Sequence, residues 1–132
     1  MQKILILPLF LVLISCSTIT TSKFDNIEYS SYVKLLTMVE EAPEYCGDRE
    51  SINQYVTIMK TESAFLANYT TYKQYNEDSM EISARIKVSI DKLYNRYQTA
   101  TGISENYCQA KFLILNRMLK SVVKVTATRL KE

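Results

Sequence analysis

Met80-Glu81-Ile82-Ser83-Ala84-Arg85-Ile86-Lys87-Val88-Ser89-Ile90 is the stretch on which the fold class turns. Apolar and polar residues alternate along it without a fault, which is the pattern of a half-buried strand. The same residues also satisfy a helix, because Ile82, Ile86 and Ile90 fall on one face that Leu93 and Tyr97 continue. A strand needs partners, and a lone two-stranded pair is marginal in water. Only Val123-Lys124-Val125-Thr126-Ala127, at the far end of the chain, offers a matching pattern. The continuation Asp91-Lys92-Leu93-Tyr94-Asn95-Arg96-Tyr97 keeps helical spacing and meets no breaker before Gly102. The stretch therefore reads as helix. Ala84 and Val88 lie opposite the main stripe, so this helix is expected to be covered on two sides.

Working outward, the flanking segments agree with it. Upstream, Asp25 followed by Glu28 has the spacing of a capping box. Tyr29, Tyr32, Val33, Leu36 and Val39 then keep helical spacing up to Pro43 and Gly47. A second helix is expected to open at Ser51, with Gln54 in capping-box position, and to bury Ile52, Tyr55, Val56, Met59, Ser63, Leu66 and Tyr69. Asn76-Glu77-Asp78 is the expected break after it, with the helix running on as far as Tyr75. Downstream, Gly102 suits the stop of the third helix. A fourth, opening at Ser104 or Glu105, carries Cys108, Phe112, Leu115, Leu119, Val122 and Leu130. The expectation is an all-α domain, a small bundle of about four helices with short connections.

The first residues, MQKILILPLFLVLISC, have a different character. Lys3 precedes an apolar run from Ile4 to Ile14, with small residues at its exit, as in a secretory signal. The run is shorter than the roughly 20 residues a helix needs to cross a bilayer. Leu13-Ile14-Ser15-Cys16 resembles the lipobox of bacterial lipoproteins. That resemblance implies lipidation of the Cys16 thiol, cleavage before it and acylation of the new amino terminus, several chains giving durable anchoring where one is marginal. Ser17, in place of an aspartate, implies the outer membrane, on its periplasmic face. The chain then divides into a signal peptide (1–15), the lipidated cysteine with a polar tether (16–24) and a helical domain (25–132).

With Cys16 lipidated, Cys46 and Cys108 remain, an even pair in an oxidising compartment, and they read as a disulfide. A redox pair or a metal site fits less well, lacking a CxxC spacing and any histidine. The absence of histidine also removes the usual catalytic triads, and two glycines cannot build a phosphate loop. We therefore expect no enzyme, no cofactor or metal, no nucleic acid and no small-molecule substrate. The charge is nearly balanced, 16 basic against 14 acidic residues, yet uneven along the chain. Asp25 to Glu50 holds seven acids against Lys34 and Arg49, whereas Lys111 to Glu132 holds six bases against one acid. The disulfide would set the first and last helices side by side and antiparallel, with opposite charge. Either the two complement each other, or the basic helix meets an acidic partner or an anionic membrane. Ten tyrosines and no tryptophan are present. Tyr69, Tyr72 and Tyr75, at three-residue steps, either cap the end of the bundle or anchor a partner-binding surface.

The order Cys46-Gly47-Asp48-Arg49, then Leu93-Tyr94, then Tyr107-Cys108-Gln109 resembles the type II secretion pilotins, helical lipoproteins that carry a secretin subunit to the outer membrane. The resemblance implies a groove between helices that takes a helical tail of a client protein. A plasmid or phage exclusion lipoprotein and a structural envelope lipoprotein are the competing expectations. Each of these roles has the membrane as a partner through the lipid, and the first two add a protein.

Overall fold

The computed structural model describes residues 23–73 and 76–131, for Lys131 the backbone alone. The expected signal peptide, Cys16 and most of the tether lie outside the described residues, as does Tyr75. Four helices follow in order: α1 (Asn26–Glu41), α2 (Arg49–Thr71), α3 (Glu77–Thr99) and α4 (Glu105–Thr128). A 3₁₀ turn at Ala42–Tyr45 follows α1, and another at Arg129–Lys131 follows α4. Each helix packs antiparallel to its predecessor, and α4 returns along α1. The architecture is an up-down-up-down bundle.

The decisive stretch is helical, and its neighbours explain why. Ser79, Ser83, Ile86, Ile90, Leu93 and Tyr97 are the buried face of α3. Ser83 packs on Thr70 of α2, their hydroxyls sharing a hydrogen bond of 2.6 Å. Ser63 and Thr70 of α2 also bond back to the carbonyls of Lys60 and Ala67, so the buried hydroxyls are satisfied. Small side chains let α2 and α3 approach closely, a stripe that an apolar count misses. It turns Ile82, expected in the core, to a half-buried position. The expected second cover is absent, since Val88 is 51% exposed and Ala84 is exposed. The Val123–Ala127 segment continues α4 instead of forming a strand.

The caps correct several further boundaries. Asp25 caps α1 through its side chain and the Glu28 amide at 2.9 Å, but the Glu28 carboxylate turns inward. The buried face of α1 is therefore Glu28, Tyr32, Leu35 and Val39, rotated from the expected one: Leu35 replaces Leu36, and Tyr29 and Val33 are half-buried. Asp48, not Ser51, caps α2, accepting from the Glu50 amide and the Ser51 hydroxyl. Asp48 takes the Glu50 amide and engages the Ser51 hydroxyl as well, so the helix starts three residues earlier than Ser51 would have it. At the other end α2 stops at Thr71, short of Tyr75. Ser104 caps α4 through the Tyr107 amide, and Leu130 beyond its end is 59% exposed rather than in the core.

Gly102 does not stop α3. Its φ lies outside the left-handed region, and the helix ends at Ala100 in an extended conformation. The last carbonyls are held instead by Arg49, which donates to Tyr97 O at 3.2 Å, to Thr101 O at 2.9 Å and to Ala100 O. One guanidinium from the neighbouring helix thus pins a last-turn carbonyl of α3 together with the two carbonyls that follow the helix.

Candidate functional site

The Cys46–Cys108 disulfide closes one end of the bundle, with Cα atoms 5.7 Å apart. It joins the turn after α1 to the first turn of α4 and so fixes these two helices antiparallel, as expected. Lys120 meets Glu40 between them at 3.0 Å across a solvated surface, an ion pair of modest weight. The opposite charges of the two segments are therefore partly spent within the molecule.

At the other end the chain enters the bundle, and a charge network gathers there. Lys73 lies 3.0 Å from Glu28 and 3.2 Å from Asp25, while the Tyr69 hydroxyl donates to Asp25 at 2.8 Å. Arg129, in the turn just past α4, reaches across to Asp78 and, at 3.2 Å, to the Ser79 hydroxyl. Burial pushes the Asp25 carboxyl up, but the Glu28 amide, Tyr69 and Lys73 outweigh it and hold its pKa below the ordinary value. Tyr32 beneath them is raised far above the ordinary tyrosine range, first by burial and then by the charge of Glu28.

Along one seam the bundle is incompletely closed. Of the neighbouring helix pairs, α3 and α4 touch least. Two hollows follow one another along their junction, of about 200 and 120 Å³. The first lies between Ser89, Lys92 and Leu93 of α3 and Tyr107, Ile114 and Met118 of α4. The second continues past Ile82, Val122 and Val125 to Arg129, with Glu28 and Tyr32 of α1 as its polar end. Ile114 is 59% and Val125 51% exposed, so apolar side chains stand open along this length of α4. The rim is basic: Arg96 and Lys111 both sit over the Tyr107 ring, at 5.7 and 5.3 Å, and Lys92 lines the same hollow. The result is an apolar groove whose first hollow has cationic edges.

The tyrosine triplet is divided by the structure. Tyr69 is half-buried and held by Asp25, whereas Tyr72, at the C-terminus of α2, is 87% exposed. Both line a shallow surface hollow with Phe65, Asn68 and Lys73. The pilotin resemblance implies a groove between helices, but its place between α3 and α4 and its lining residues were not read from the sequence, although half of them are legible. Tyr107, Lys111, Ile114, Met118, Val122 and Val125 recur at steps of three and four beside the core stripe of α4. A helix with two adjacent apolar faces is the signal that was available. Among the described residues, no helix is long and apolar enough to cross a membrane. No group of three His, Cys, Asp or Glu side chains among them is placed to hold a metal ion. No family model, curated protein or solved structure matches this chain.

Proposed function

We propose that this protein is a lipid-anchored adaptor of the bacterial envelope whose α3–α4 groove docks an amphipathic helix of a client protein. The open apolar groove carries this reading. An apolar channel between two helices, edged with cations, fits a helix with one apolar stripe and acidic flanks. The lipobox-like Leu13-Ile14-Ser15-Cys16 supports an anchor at Cys16 on the periplasmic face of the outer membrane. Together, anchor and groove suit a pilotin-like assembly factor that brings a subunit to an outer-membrane complex.

A photo-crosslinking amino acid at Ile114, in the lipidated protein inside cells of its own species, tests the reading. One envelope protein should be captured through a helical segment. Capture should fall at least tenfold when Met118→Glu places a carboxylate in the groove, with the circular dichroism spectrum unchanged. Failure to capture any protein in the membrane fraction would reject the adaptor role. Deleting the gene gives a second check, because a client that still reaches the outer membrane owes nothing to this chain.

A further inference from the structure

The end of the bundle where the chain enters carries more exposed aromatic surface than the disulfide end. Phe65 stacks on Tyr69 with ring centroids 6.2 Å apart, and Phe65 is 53% and Tyr72 87% exposed. Beside them, Phe24 packs on Tyr29 at 5.5 Å at the start of α1. The disulfide end offers Tyr45, 37% exposed and stacked on Tyr55.

We propose that this aromatic end is a membrane-seating surface, resting in the headgroup zone of the bilayer that holds the lipid anchor. The inference rests on the reading of Cys16 as that anchor. Lys23 is seven positions after Cys16, a reach of at most about 25 Å when fully extended. The 23-residue α2 is itself about 35 Å long, so the tether keeps this end within its reach of the lipid, while the disulfide end lies a full helix length further along the bundle. Rings with an apolar body and a polar tip, as in Tyr69 and Tyr72, favour the interface between water and hydrocarbon. The charges at this end are largely engaged with one another. Lys73 pairs with Asp25 and Glu28, and Arg129 with Asp78, within the same end of the molecule. Seated in this way, the bundle stands upright and its groove runs up from the membrane surface, open from the side.

The absence of tryptophan provides the test, because a single introduced indole reports alone. Tyr72→Trp and, as control, Tyr45→Trp are placed in the full-length lipidated chain. Each is reconstituted in vesicles of phosphatidylethanolamine and phosphatidylglycerol that carry a nitroxide lipid labelled near the glycerol. Flotation with the vesicles, compared with Cys16→Ser, reports the anchor; quenching reports the seat. Both variants should float, and quenching should be severalfold stronger for Tyr72→Trp than for Tyr45→Trp, falling when Phe65→Ser is added. Flotation with equal quenching at both positions would overturn the seating and leave the anchor standing. No flotation would overturn both. A blue shift of the Tyr72→Trp emission that grows with protein concentration, without quenching, would give the patch to a second copy and overturn the lipid assignment.

Discussion

Glu28 occupies a core position of α1 with 1% of its surface exposed, and the residues around it determine whether that is tolerable. A buried carboxylate is costly unless paired and hydrogen-bonded, and Lys73 supplies the pairing. Removing that partner through Lys73→Met leaves the charge buried alone and should cost about 2–3 kcal/mol in urea unfolding, less than a fully buried pair because Lys73 keeps contact with water. Asp25 makes the network sensitive to acid. Its pKa is depressed in the folded protein, so on acidification the unfolded chain takes up the proton first. Its contribution is full above its ordinary value of 3.8 and is lost as the pH falls through the lower folded value. Asp25→Asn keeps a capping oxygen for the Glu28 amide but removes the charge. It should flatten the acid limb of the urea midpoint between about pH 5 and 2. An unchanged acid limb would mean that other carboxylates set it.

For the elements, caps matter more than propensity. The C-terminus of α3 depends on Arg49, a residue of α2, and not on the glycine two residues after its cap. Arg49→Met should cost about 1–2 kcal/mol, since charge-assisted hydrogen bonds to three carbonyls are exchanged for water. A Cβ added at Gly102 meets nothing within 4 Å, and its φ is ordinary. Gly102→Ala should therefore leave stability unchanged or raise it by up to about 1 kcal/mol through the unfolded chain. Thermal unfolding of the two variants side by side checks both, and a loss on Gly102→Ala would return the stop to the glycine. Helix existence and order were legible from period and punctuation. The stripe of α3 was legible only in part, because its buried serines do not register as apolar. Neither could the Arg49 contacts be read, since it and Thr101 stand 52 positions apart in the chain.

In the whole molecule, the two ends are secured by different means. One is closed covalently by Cys46–Cys108, the other by the Asp25, Glu28, Lys73 and Arg129 network. A closed interval of 62 residues lowers the entropy of the unfolded chain by an amount worth roughly 4 kcal/mol at room temperature. Reduction, or the pair Cys46→Ser and Cys108→Ser, should lower the stability of the domain by about 2–4 kcal/mol while its helical spectrum persists in the absence of denaturant. Equal urea midpoints with and without reductant would show that the bundle does not depend on the staple. The stapled pair, α1 and α4, also frames the groove on one side. A chain held in this way can leave α3 and α4 apart without losing α4 from the bundle.

The sequence by itself determined what depends on near neighbours along the chain. It held the four helices through their three- and four-residue spacing, the caps at Asp25 and Ser104, and the pairing of the two cysteines left once Cys16 is set aside. Tertiary structure decided which faces meet. It turned Ser83 rather than Ile82 to α2, placed Glu28 inside because Lys73 returns from another helix, and left Ile114 and Val125 uncovered along α4. The physical reason is that a helix specifies the angular positions of its side chains through local geometry, whereas the burial of each position depends on how closely the other three helices approach.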